Sequence, residues 1–201
     1  MFVQIIEGQL ADADRFRELY HRWDDELGDD AAGWLGGTAG VTPDGVGVIA
    51  ARFESAEAAS RNSDRPEQDE WWQETAACFD GEPTFADCSE VDLFLGGGSD
   101  DAGFVQVIRG RVSDGEAGRR LMKEFERVLP DARPDVLGGY LALHDDDPGA
   151  YTQVVYFTSE EQAREGESRE TDGDEAALDR QLEQLHEGEP RFLDLPDPWL
   201  S

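Results

Sequence analysis

The sequence predicts an α+β fold made of two tandem copies of one β-α-β-β-α-β unit, and three observations predict it. First, residues 2–12 (FVQIIEGQLAD) and 104–114 (FVQVIRGRVSD) are identical at six of eleven positions, and two more exchange one aliphatic residue for another. Second, three further blocks match in the same order: Leu35-Gly36-Gly37 with Leu137-Gly138-Gly139, RFESAEAA (52–59) with YFTSEEQA (156–163), and FDGEPTFAD (79–87) with HEGEPRFLD (186–194). The offset drifts from 102 to 104 to 107, as short loop insertions produce, and a sustained offset marks a duplicated structural unit. Third, each copy alternates strand-like apolar runs with helical apolar spacing.

In the first copy, residues 2–8 are apolar and β-branched, which suits a buried strand. Asp12 offers an N-cap to a helix carrying Phe16, Leu19, Tyr20, Trp23 and Leu27 at helical spacing, and Gly28 is expected to close it. Residues 33–41 and 46–53 read as two strands joined by the turn Thr42-Pro43-Asp44-Gly45. Ser55 starts a second helix that Pro66 interrupts or restarts, and a last strand runs near 83–88. The second copy repeats the pattern: a strand at 104–112, a helix at 114–129 and a hairpin at 137–157. Ser159 and Gln162 have the spacing of a capping box. An acidic loop at 165–175, a helix at 174–186 and a strand near 190–195 follow.

The organisation is therefore repeat 1 over 1–95, a Gly-rich linker over 96–103, and repeat 2 over 104–201. The element order is the ferredoxin-like one. A four-stranded antiparallel sheet covered by helices on one face leaves the other face bare, and that face must be buried. Packing two such sheets face to face within one chain gives a single-chain α/β barrel.

Composition bounds the rest. No apolar run approaches the ~20 residues of a membrane span, and MFVQIIEGQL lacks the basic start of a signal peptide, so a cytoplasmic protein is expected. Cys78 and Cys88 are too few for a disulfide framework and read as small buried hydrophobes. Against 17 basic residues stand 47 acidic ones, a surface that repels phosphate backbones and anionic lipids. Nucleic-acid and membrane partners are disfavoured; a small-molecule ligand is the expected partner. The chain is a pseudo-dimer in itself, with further homodimerisation left open. The acidity reflects either a salt-rich cytoplasm or the compositional bias of a GC-rich genome, and neither speaks to function.

The element order, the FVQIIEG-type first strand and the RFES-x-E-x-A start of the second helix resemble the dimeric α/β barrel superfamily. Within it they are most similar to antibiotic-biosynthesis-monooxygenase-like domains, over nearly the whole chain and twice. The resemblance implies pockets between the sheet and the helices of each half. It also implies an Asn and a Trp near the second helix in oxygenase members, which are cofactor-independent enzymes acting on phenolic polyketides.

Here RNSDRPEQDEWW (61–72) offers Asn62, Arg65, Trp71 and Trp72. A Trp can stack on a planar ligand, and Asn or Arg can hydrogen-bond a developing enolate or phenolate. The structural alternative is that the tryptophans pack with Ala76 and Phe79 as core, and that Asn62 and Arg65 serve a helix end before Pro66. Gln4 and its equivalent Gln106 lie among aliphatics in the first strands, so each needs a polar partner from the neighbouring sheet or from a ligand in the pocket. His21, beside the apolar stripe of the first helix, either faces a pocket or lies exposed. His144 reads as a turn residue, and His186 as a helix-end group whose charge suits the dipole.

Haem degradation ranks last, because no histidine follows Trp72 until His144. No metal site and no cofactor are expected. In repeat 2 the informative segment is replaced by EGESRETDGDEA (165–176), so the first half is expected to hold the pocket and the second to support it. The functional expectation is a cofactor-independent monooxygenase on a small aromatic or polyketide-like compound. The alternative is a non-catalytic small-molecule-binding or stress-related protein.

Overall fold

The computed structural model describes residues 1–201, except the side chain of residue 174. The elements of repeat 1 are β1 (Phe2–Gln9), α1 (Ala13–Glu26), β2 (Trp34–Val41), β3 (Val46–Phe53), α2 (Ala56–Ser63), α3 (Pro66–Ala76) and β4 (Thr84–Cys88). After β5 (Glu90–Phe94), repeat 2 supplies β6 (Phe104–Arg111), α4 (Gly115–Ala132), β7 (Val136–Leu143) and β8 (Ala150–Phe157). It ends with α5 (Glu160–Ser168), α6 (Gly173–Leu185), β9 (Arg191–Leu195) and the short β10 (Trp199–Leu200). They form two five-stranded antiparallel sheets, ordered β10-β2-β3-β1-β4 and β5-β7-β8-β6-β9. Four strands of each sheet follow the ferredoxin-like order.

The duplication extends to register. Strand β1 pairs with β3 from Phe2↔Phe53 to Gln9↔Val46, and β6 pairs with β8 from Phe104↔Phe157 to Arg111↔Ala150. Each β1-type strand carries its glutamine opposite an aspartate of the last strand. Gln4 Nε2 donates to Asp87 Oδ1 at 2.8 Å, and Gln106 Nε2 donates to Asp194 Oδ1 at 2.9 Å. Each glutamine thus finds a partner on the last strand of its own sheet rather than on the other sheet, and Gln106 Nε2 also donates to Glu167 Oε1 on α5 at 3.2 Å.

Both units bulge at the Leu-Gly-Gly block. Trp34 pairs with Phe53 and Gly36 with Arg52, leaving Leu35 as an extra residue; Val136 and Gly138 bracket Leu137 in the same way. A bulge of this kind bends the strand and re-aims its side chains.

Helix starts follow local chemistry. Asp12 Oδ1 accepts from Arg15 N, Asp114 Oδ1 from Ala117 N, Ser55 Oγ from Ala58 N and Ser159 Oγ from Gln162 N, satisfying donors that a helix leaves open. Pro66 occupies the first turn of α3, where its missing N–H costs nothing. Alternation along β1 turns Gln4 and Ile6 toward the helices and Val3 and Ile5 away; both pairs are largely buried, so both faces of the sheet are covered. The same holds for Gln106 and Ile108 against Val105 and Val107 in unit 2.

Several expectations need correction. The compact units are Met1–Ser89 with Asp197–Ser201, and Glu90–Pro196, whereas the sequence reading divided the chain around 96–103. The difference lies in the edge strands: β5, within residues 1–95, belongs to unit 2, and β10, at the end of residues 104–201, belongs to unit 1. Residues 165–168, read as an acidic loop, complete α5, which the Ser159 cap and the buried Ala163 anchor. Helix α1 ends at Glu26, and Gly28–Asp30 form a 3₁₀ turn rather than a glycine cap. Helix α4 continues through Pro130 to Ala132.

His144 is not a free turn residue: its Nε2 lies 2.9 Å from Thr152 Oγ1. His186 caps α6 but faces Tyr151, with Nε2 and the phenol oxygen 3.0 Å apart, and burial favours its neutral form rather than the charge the dipole would welcome. Among the described residues, no helix is long and apolar enough to cross a membrane.

Two outcomes test this architecture. Trp199, buried against Phe16 and Tyr20, anchors β10 to unit 1, so Trp199→Ala is expected to cost about 3 kcal/mol in urea unfolding. Leu93→Ala, at a half-exposed site on β5, should cost under about 0.5 kcal/mol. The second outcome concerns pH. Burial, reinforced by Arg109, pushes the His144 imidazole below its ordinary range, so the unfolded chain takes up the proton first. The stability this histidine contributes is complete above its unfolded value of about 6.5 and is lost as pH falls toward its lower folded value. Thermal melts between about pH 7.5 and 5.5 should therefore lose less on acidification in His144→Gln than in the parent protein.

Candidate functional site

A cavity of about 220 Å³ lies between the sheet of unit 1 and its helices. Strand alternation brings Gln4, Ile6, Ile49 and Phe53 to its floor, and the bulge brings Trp34. Helix α1 contributes Tyr20 and Trp23, α2 contributes Asn62, and α3 contributes Gln68, Asp69, Trp71 and Trp72 at the i, i+3, i+4 spacing of one helix face. The walls are aromatic and mutually packed. Trp23 meets Trp34 with ring centroids 4.6 Å apart, Trp34 meets Phe53 at 5.1 Å, and Trp72 meets Phe85 at 5.3 Å. Phe85 is 51% exposed and marks the mouth.

Two amides set the polar character of the cavity. Asn62 is 5% exposed, and its Oδ1 accepts from Arg65 Nη1 at 3.0 Å. Gln68 Oε1 accepts from Trp23 Nε1 at 2.6 Å. Guanidinium and indole N–H groups are donors only, so each fixes its amide with the oxygen toward itself. The NH₂ of each is then left to the cavity, and among the described residues neither finds an acceptor. The Gln4 Oε1 and the Asp69 carboxylate add acceptors on the same wall.

Of the residues singled out from the sequence, Gln4, Asn62, Trp71 and Trp72 line this cavity. Arg65 does not reach the wall; it stands behind Asn62 and also donates to the Leu27 carbonyl at 3.3 Å. His21 is exposed on α1, with its ring near Tyr20 and Trp199 rather than in the cavity. Trp71 is structural as well: its Nε1 donates to the Leu19 carbonyl at 2.8 Å, which ties α3 to α1. The sequence does not single out Trp34, Trp23, Gln68 or Asp69 for the site. Trp23 belongs there to a core stripe and Trp34 to an ordinary strand, and nothing within 61–72 distinguishes Gln68 and Asp69 from their polar neighbours.

Unit 2 departs from the supporting role expected of it. In the equivalent place, lined by Gln106, Ile108, Val155, Phe157 and Phe192, it holds a cavity of about 640 Å³, larger than that of unit 1.

No protein-family model matches the sequence, and no curated protein matches it. Solved structures do. The chain is similar to a candidate monooxygenase from Lactobacillus acidophilus NCFM, with a TM-score of 0.73 and 13% identity over 100% of this chain and 98% of that one. It is similar to an anthrone oxidase-like protein, with a TM-score of 0.68 and 10% identity over 99% and 92% of the two chains. It is also similar to a ferredoxin-fold protein related to antibiotic biosynthesis monooxygenases from Listeria monocytogenes 4b F2365. That TM-score is 0.51, with 9% identity over 98% and 95%. The chain shares the fold of these proteins. At these identities the likeness establishes the fold, and the chemistry must be argued from the residues.

Proposed function

We propose that unit 1 binds a planar aromatic or polyketide-like compound bearing ring oxygens and oxidises it with O₂ as a cofactor-independent monooxygenase. The observation that carries this reading is the pair of oriented amides, Asn62 and Gln68, on an otherwise aromatic wall. Trp34 and Trp72 offer faces to a flat ring, and the two NH₂ groups meet its oxygens. Asp69, whose Oδ2 accepts from Gln73 Nε2 at 2.8 Å, is the carboxylate on the wall that takes the substrate proton.

The anion left behind is an enolate or phenolate whose oxygen the amide donors stabilise more than they do the neutral compound. An electron-rich anion of this kind reacts with O₂. When a ring CH₂ becomes C=O, one oxygen atom enters the carbonyl and the other leaves as water. The CH₂ supplies all four electrons, and no outside reductant is needed.

Haem degradation has less support, since His21, the histidine of unit 1, stands outside the cavity.

Oxygen uptake with an anthrone is the direct test. Uptake above the protein-free rate, with a carbonyl product and a kcat/KM lowered about 100-fold or more by Asn62→Ala, is expected. Saturable binding without uptake would replace the enzyme with the binding-protein reading.

A further inference from the structure

We propose that the cavity of unit 2 is a separate binding site for a hydrophobic amine, held as its ammonium ion. Duplication set the two cavities in equivalent places, and their polar groups have diverged in a definite direction. The position of Asn62 in repeat 1 is Gly166 in repeat 2, so the amide donor that serves unit 1 is gone.

Gln106 is 4% exposed and lines the cavity. Both of its N–H groups are used, on Glu167 Oε1 at 3.2 Å and on Asp194 Oδ1 at 2.9 Å. Two carboxylates cannot both face an amide oxygen, so the orientation is fixed by chemistry and Oε1 is left as an acceptor with no donor among the described residues. The Asp179 carboxylate lines the same cavity, also with no basic partner among the described residues.

The guanidiniums on the wall are already engaged. Arg133 is held by both oxygens of Asp135 at 3.0 and 2.8 Å, and Arg164 by Glu160, Glu167 and Asp194. An entering anion would meet those carboxylates and compete with them. An ammonium ion meets unclaimed acceptors instead. Its apolar part is received by Phe125, Phe157 and Met122, and Phe192, the repeat equivalent of Phe85, stands 54% exposed at the mouth. The net charge of −30 concentrates cations at the surface in general, so the site must be distinguished from that background.

The test is calorimetric titration of the whole chain with 4-phenylbutylamine and with 4-phenylbutyrate, in about 0.5 M NaCl to screen the general attraction. The amine is expected to bind one to one and the butyrate not at all. Asp179→Asn, a near-isosteric change on α6 that removes the carboxylate charge, should weaken the amine about tenfold. Trp72→Ala should leave amine binding unchanged. All five tryptophans lie in unit 1, so amine binding should not alter tryptophan fluorescence. No amine binding at millimolar concentration, butyrate binding as tight as the amine, or affinity indifferent to Asp179→Asn would overturn the proposal. So would amine binding that follows Trp72→Ala or quenches the tryptophans.

Discussion

In each unit the second core strand carries one residue more than the strand opposite, and a glycine pair follows it. The first glycine, Gly36 or Gly138, sits where the fifth strand's segment passes: a Cβ would overlap the Ser201 carbonyl in one unit and the Gly97 carbonyl in the other. Gly36 also has φ +114°, a backbone that side-chain-bearing residues rarely adopt. A Cβ on the second glycine, Gly37, would come within 2.8 Å of the Tyr20 hydroxyl and 3.0 Å of the Trp34 ring. The same three residues therefore close the sheet edge and seat Trp34 over the helices. The aromatic wall of the unit 1 cavity depends on that placement. So does the docking of Trp199, since β10 pairs with β2 just past the bulge, at Ala39 and Thr38.

On this shared scaffold, the two cavities differ in whether amide N–H groups are left unclaimed. Arg65 and Trp23 claim amide oxygens and leave N–H groups in unit 1; Glu167 and Asp194 claim N–H groups and leave an oxygen in unit 2. Arg65 and Asp194 stand outside the cavity linings, so in each unit a residue behind the wall helps to set what a ligand meets. Fusion of the halves into one chain permits this, because a homodimer cannot vary one copy alone. Arg65 is in this sense a positioning residue, though its spacing before Pro66 also suits the helix junction it occupies.

Much of this was legible in the sequence, for physical reasons that can be named. The β1, β3, β6 and β8 strands announce themselves by dense apolar, β-branched runs, and the Asp12, Ser55 and Ser159 caps by local hydrogen-bond chemistry that needs no tertiary context. The edge strands were not legible. Trp199-Leu200 is two residues long, and Leu93-Phe94 precedes a run of glycines; each becomes a strand only through a partner far away in sequence. Helix α5 was half hidden because its C-terminal turn is acidic, and one buried residue, Ala163, carries most of its packing. In the site, residue type pointed to Asn62, Trp71 and Trp72, while Trp34 and Gln68 acquire their roles from a bulge and from an indole donor on another helix. The unit 2 cavity was missed because its aromatic walls come from residues that read as ordinary core.

The central claim is that oriented amide donors, and not the aromatic walls alone, select the unit 1 ligand. Tryptophan-fluorescence titration with 1,8-dihydroxyanthraquinone and with anthracene tests it, on the parent chain and on Asn62→Leu, which keeps the branched shape and removes the donor. The account predicts saturable quenching by the oxygenated ring system, weakened about tenfold in Asn62→Leu, with anthracene weak and indifferent to the substitution. Equal binding of both compounds, or an Asn62→Leu protein that binds the anthraquinone as tightly as the parent, would contradict it.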